Sequence, residues 1–171
     1  MTPTSRAVAR VSRTFAASPE RVFDSWLDPE KVRVWWKASA AAAGRGATET
    51  VERIHIDARQ GGSFSFLVRR DGQLIDHTGT YLEIDRPRRL VFTWHARDIA
   101  SSDVVVVPSD DPDSPDYSRV IIDITPLPSG CEVTLSHEMH PDWKYFVDRA
   151  VNAWRIMLDA IDELVSEVPT R

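Results

Sequence analysis

The stretch from Pro141 to Val168 constrains the fold more than any other part of the chain. Trp143, Phe146, Val147, Ala150, Val151, Trp154, Met157, Leu158, Ile161, Leu164 and Val165 recur at steps of three and four residues. Lys144, Asp148, Asn152, Arg155, Asp159 and Asp162 run along the opposite face at the same period. Two interlocking stripes predict an amphipathic helix. Pro141 suits its first position, Asp142 favours the positive end of its dipole, and Pro169 stops it. An apolar stripe this broad, with two tryptophans and a methionine, needs a large concave partner.

The partner comes from the chain upstream. Ala7 to Phe15 alternates, with Ala9, Val11 and Phe15 on one side and Arg10, Ser12 and Thr14 on the other, as a half-buried strand does. Arg13 shares the apolar side. Ser18-Pro19-Glu20 supplies an N-cap, a first-turn proline and an acid, and Asp28-Pro29-Glu30 repeats the signal. Each opens a short helix, the first burying Val22, Phe23, Trp26 and Leu27, the second Val32, Trp35 and Trp36. Both need packing to be stable. Residues 39–50, in and beyond the small-residue run from Ala38 to Ala47, are expected to form a mobile loop.

A run of strands follows. Ile54 and Ile56 face inward on the first, and Phe64, Phe66 and Val68 on the second, after the Gly61-Gly62 turn. Asp71-Gly72 is a strong two-residue hairpin signal. Gln73 to Ile84 carries Gly79 in mid-strand, the mark of a bulge or a close backbone approach. Its register stays open, because Ile75, His77 and Tyr81 compete with Leu74, Thr80 and Leu82 for the inner face. Leu90, Phe92 and Trp94 then alternate inward. Periodicity fails from Arg97 to Ser118 apart from Val104–Val107, and 98–117 is expected to be a partly disordered, proline- and acid-rich insertion. Two last strands turn Val120, Ile122, Ile124, Cys131, Val133, Leu135 and His137 inward. Tight connections make the sheet antiparallel, with about seven strands, and the terminal helix covers it. The expected class is α+β, in one domain over 1–171.

Composition removes several functions. A net charge of −5 lacks the clustered Lys and Arg that phosphate contacts require, so nucleic acid is not an expected partner. No run is long enough to cross a bilayer, and MTPTSRAVAR lacks the apolar core of a signal peptide. One cysteine, Cys131, rules out an internal disulfide and fits a reducing compartment. A soluble, cytoplasmic protein is expected.

SRTFAASPERVFDSWLDPEKVRVWWKA (12–38), RQGGSFSF (59–66), HTGTYLEIDRPRRLVFTW (77–94), CEVTLSHEM (131–139) and the final helix together resemble the START-like, helix-grip (SRPBCC) superfamily. The nearest branch is similar to the activators of the ninety-kilodalton heat-shock chaperone's ATPase, in their short bacterial form. The resemblance covers nearly all of the chain except 39–50 and 97–118. It implies a curved antiparallel sheet gripping the long helix, with a cavity between them. It also implies a range of functions, from carriers of hydrophobic molecules to polyketide cyclases and co-chaperones.

Trp26, Trp35, Trp36, Phe64, Phe66, Tyr81, Trp94, Trp154 and Met157 suit the wall of a pocket for a flat apolar ligand. Taken singly, each serves equally well as core filling. His55 and His95 have outward parity and His140 stands at the start of the helix. His77 and His137 have inward parity, the first in only one of two registers. They are either proton-transfer groups or satisfied core residues. HEMH at 137–140 lacks metalloprotease spacing and there is no second cysteine, so no metal is expected. Arg13 and Arg70 share the apolar faces of their strands, and each needs an acid, a wet rim or an anionic ligand. No nucleophile–base pair, phosphate loop or carboxylate dyad can be read from spacing, and no cofactor is expected.

Three functions remain. The first is binding of a hydrophobic, aromatic small molecule by Trp35, Trp36, Phe64, Phe66, His77, Tyr81, Trp94, Trp154 and Met157, with the mouth beside Trp35 and Trp36 under the alanine loop. The second is a cyclase or hydro-lyase using His77, His137 or Tyr81 to move protons. The third is a module that contacts a chaperone through the outer sheet or the acidic insertion. A second copy of the chain is the remaining partner considered. A dry pocket favours the first function, a wet cavity with a joined ionisable pair the second, and a filled core with an exposed apolar patch the third.

Overall fold

The computed structural model describes residues 5–98 and 111–166. Strands β1 (Ala7–Phe15), β2 (Glu49–Ile56), β3 (Ser63–Arg70), β4 (Gln73–Asp85), β5 (Arg89–Thr93), β6 (His95–Asp98), β7 (Ser118–Leu127) and β8 (Gly130–Met139) form one antiparallel sheet. Its order is β1-β8-β7-β5-β4-β3-β2, with β6 continuing the line of β5 along β4. Helices α1 (Pro19–Asp24) and α2 (Pro29–Ala42) follow β1, and α3 (Val147–Ser166) ends the described chain after a 3-10 turn over Pro141–Phe146. The curved sheet grips α3, so the class is α+β. β6 is the strand beyond the expected seven.

Twenty residues of α3 span ~30 Å. Ala150, Trp154, Leu158, Ile161 and Val165 form its buried stripe against the inner face of the sheet. From β1, Arg13 reaches the outer side of this helix, bonding Asp162 at 2.7 Å and also Asp159. Pairing with helix acids therefore accounts for a charge that shares an apolar face.

Both early helices start where the caps predict. The Ser18 hydroxyl accepts from the Arg21 N–H and the Asp28 carboxylate from the Glu30 N–H. The second is longer than expected, since residues 39–42 are helix and 49–50 belong to β2. A run poor in bulk was read as loop, but alanine is the strongest helix former. Helix α2 stops only where Gly44 turns left-handed, at φ 79°. Of the expected insertion, Asp98 ends β6 and 99–110 lie outside the described residues, as does the Val104–Val107 run. Residues 111–117 form turns fastened to the body: Arg6 donates to the Pro112 carbonyl and lies over the buried Tyr117 ring.

The start of the last helix also differs. The His140 ring caps a 3-10 turn by accepting from the Asp142 N–H. This tighter turn throws Trp143 off the apolar stripe, leaving it 37% exposed beside Tyr145 at 73%. In β4 the open register resolves in favour of His77 and Tyr81, which are buried while Leu82 is exposed. Gly79 is where the backbones close in: a Cβ there would stand 1.9 Å from the Thr93 carbonyl oxygen and 2.6 Å from the Phe64 ring. The line from β5 to β6 breaks at Trp94, and the Thr93 hydroxyl accepts the Thr80 N–H at 2.9 Å there.

Candidate functional site

Inward parity on β3, β4 and β5, Trp26 in the turn after α1, Trp35 on α2 and Trp154 on α3 converge between sheet and helix. Trp26, Trp35, Phe64, Phe66, Tyr81, Leu90, Phe92, Trp94 and Trp154 enclose a void of about 10 Å³. That is room for about one water. The standing cavity expected for an aromatic guest is thus largely filled by the rings themselves. The Trp94 indole is the hub, with centroids 5.3 Å from Trp154, 5.5 Å from His77, 5.9 Å from Phe64 and 6.3 Å from Trp36. Trp26 leans on Trp35 at 5.4 Å and on Trp154 at 6.4 Å. These are ordinary aromatic pair distances, tilted in every case except the stacked Trp94–Phe64 pair.

Six of the nine residues expected at the site wall the void: Trp35, Phe64, Phe66, Tyr81, Trp94 and Trp154. Trp36 and His77 pack one layer away, against Phe66 and Trp94. Met157 is half-buried on the flank of α3 and is not part of the wall. Leu90 and Phe92 were not among the expected site residues, although their alternation with Trp94 already placed them on the inner face. The place expected for the mouth is closed. Trp35 and Trp36 are 1% and 2% exposed, and α2 runs on past them. Every residue of the wall is buried except Trp94, which is half-exposed at the break between β5 and β6. Ser118 holds its backbone on both sides, accepting the Trp94 N–H at 3.0 Å and donating its hydroxyl to the Trp94 carbonyl at 2.5 Å.

The histidines have fixed tautomers. An indole N–H can only donate, so the 3.1 Å bond from Trp154 makes His137 Nδ1 an acceptor. The proton is then on Nε2, which donates to the Ser118 hydroxyl at 3.0 Å. His77 Nδ1 lies 3.3 Å from the Phe66 carbonyl oxygen and carries its proton there. Burial drives both rings down to a pKa of about 4; the Phe66 carbonyl opposes this only partly at His77. Burial, with Asp57 adding to it, pushes the Tyr81 hydroxyl above its ordinary range. Both nitrogens of His137 are committed, His77 is outside the wall, and Tyr81 stands on it.

Trp36 is fixed from the other side, its N–H donating to Glu49 at 2.9 Å. The Glu49 carboxylate is buried and also accepts from Arg70 and Arg45. Burial pulls its pKa up, but Arg70, Trp36 and Arg45 together outweigh this and hold it below the ordinary value. Arg70 is therefore paired, with a strand acid. Among the described residues no group of three or more His, Cys, Asp or Glu is placed to hold a metal. No helix there is long and apolar enough to cross a membrane.

The fold has many solved counterparts. A protein from Chromobacterium violaceum superposes with a TM-score of 0.70 at 21% identity, over 95% of this chain and 99% of its own. One from Rhodobacter sphaeroides gives 0.73 at 15% identity over 98% of each chain. An AHSA1-like protein from Aeromonas hydrophila gives 0.66 at 18% identity, over 92% and 91%. No curated protein matches. The sequence profile described as Activator of Hsp90 ATPase homolog 1-like protein matches residues 16–166, and the chain belongs to that family.

Proposed function

We propose that the protein binds a small, flat, apolar molecule in the ring-walled centre between the sheet and α3, with the Trp94 side chain as the door. The position of Trp94 carries this reading: it is the one wall residue that is not buried, it abuts the innermost rings, and its backbone is clamped. A clamped backbone leaves rotation of the side chain as the way to open. The space vacated is that of one indole, which sets the size of the guest. Exposing ~100 Å² more of that ring costs about 2.5 kcal/mol at ~25 cal/mol per Å². The open form is then on the order of 1–3% of molecules, and the observed affinity falls to that fraction of the intrinsic one.

Titration with naphthalene or indane, followed by tryptophan emission, tests the proposal. Saturable binding to the wild type is expected, and Trp94→Ala should bind at least ~10-fold tighter, because an apolar hole is already open. Saturable binding to neither protein rules the reading out.

A second reading rests on a different observation. Trp143 and Tyr145 stack at 5.9 Å and 20° on the surface, while the outer sheet presents paired charges such as Arg119–Glu138 and Arg89–Asp123. If the protein contacts a chaperone of the Hsp90 class, this aromatic pair is the suited surface. Stimulation of that chaperone's ATPase should then be lost in Tyr145→Ala and kept in Trp94→Ala. No stimulation by the wild type removes this reading.

A further inference from the structure

We infer that the ring-walled centre selects its guest through a buried, unpaired hydrogen-bond donor, the Trp26 N–H, and takes a neutral flat molecule bearing an acceptor oxygen rather than a hydrocarbon or an acid. This rests on the reading of that centre as a ligand site. Trp35, Trp36 and Trp154, packed around the same centre, each donate to a protein acceptor: the Ser25 carbonyl at 2.9 Å, Glu49 at 2.9 Å and His137 at 3.1 Å. The Trp26 nitrogen is buried and meets no acceptor among the described residues. Its side chain is 5% exposed and forms part of the wall.

An orphaned donor in a dry core is a standing penalty, and an indole N–H can be satisfied only by an acceptor. One water would fit the void, and its oxygen would accept from Trp26. A hydrocarbon displacing that water forfeits the bond, whereas a carbonyl or ether oxygen reproduces it. Whether the void is wet or dry, the preference has the same sign. An acid is disfavoured because the wall contains no charged side chain. The Tyr81 hydroxyl on the same wall stays protonated because burial raises its pKa. A carboxylate would therefore be buried without a cation.

The test uses indane, 1-indanone and indane-1-carboxylate, similar in body and different in polarity. Affinities are measured by calorimetry at pH 7.5 for the wild type and Trp26→Phe. For the wild type, 1-indanone should bind about 10-fold tighter than indane, and the carboxylate more weakly than either. In Trp26→Phe the indanone preference should shrink to within about twofold. The Trp26 indole N–H resonance of the wild type should lie downfield in the indanone complex relative to the indane complex, which decides the matter if the variant does not fold. Equal binding of indane and indanone, tightest binding of the acid, or an indanone preference that survives in Trp26→Phe overturns the inference and leaves the ligand site standing. Binding of none of the three to the wild type or to Trp94→Ala overturns both.

Discussion

Lowering the pH to 5 should strip roughly 4 kcal/mol from the fold, through His77 and His137. Both rings are buried with a pKa of about 4, whereas an unfolded histidine titrates near ~6.5. A depressed folded value means that stability is complete above the unfolded pKa and drains away as pH falls towards the folded one. At pH 5 the unfolded chain has taken up nearly one proton per ring and the native protein almost none, which amounts to ~2 kcal/mol for each. The bonds explain the resistance at His137: a proton on Nδ1 would face the Trp154 N–H, donor against donor. Carboxylates interfere little at this pH because their unfolded values lie near ~4. The assay is urea unfolding at pH 7.5 and pH 5 of the wild type, His77→Gln and His137→Gln, with the slope checked for constancy. Each variant should lose ~2 kcal/mol less than the wild type over the same interval. A His137→Gln protein whose loss matches the wild type within about 0.5 kcal/mol would refute the neutral, fully bonded ring.

Two substitutions on α3 test how its faces are divided. Trp154→Ala removes a ring from the wall of the void and a donor from His137, and should lower unfolding stability by ~3–5 kcal/mol. Asp159→Ala, on the outer face where its pair with Arg13 is half in water, should change it by less than about 1 kcal/mol.

Periodicity and caps carried the fold a long way, because each is a local signal. The α3 stripe, the Ser18 and Asp28 caps and the Asp71-Gly72 turn all fold where the sequence puts them. Three features were not legible in this way. The parity of β4 was a tie within its own sequence, and it is settled by Phe66 standing opposite His77 across the β3–β4 ladder. Trp143 kept the helical period in sequence but lost it when the His140 cap tightened the first turn to 3-10 geometry. Residues 39–42 looked structureless because they are small, yet the helix continues through them on alanine's propensity and on the burial of Ser39 and Ala40. At the site, residue types identified most of the wall but not its fit. Ring identities do not say whether eight aromatics leave a pocket or interlock around a water-sized void. Nor do they say that Trp94 falls at a break in the strand line, which the Thr93–Thr80 bond produces.

The place of β1 in the sheet has a consequence for synthesis. Among the described residues its only strand partner is β8, and Phe15 pairs with Cys131, 116 residues further on. At ~5–20 residues per second, a ribosome needs roughly 6–25 s to make the distance between them. Until then β1 has apolar Ala9, Val11 and Phe15 on one face and no strand to lie against, and Arg13 waits longer still for Asp159 and Asp162. The aromatic centre is likewise short of Trp154 until α3 has been made. Completion of the fold therefore falls to the last segments translated, and a chain stalled before α3 presents its inner sheet face to whatever chaperone is at hand.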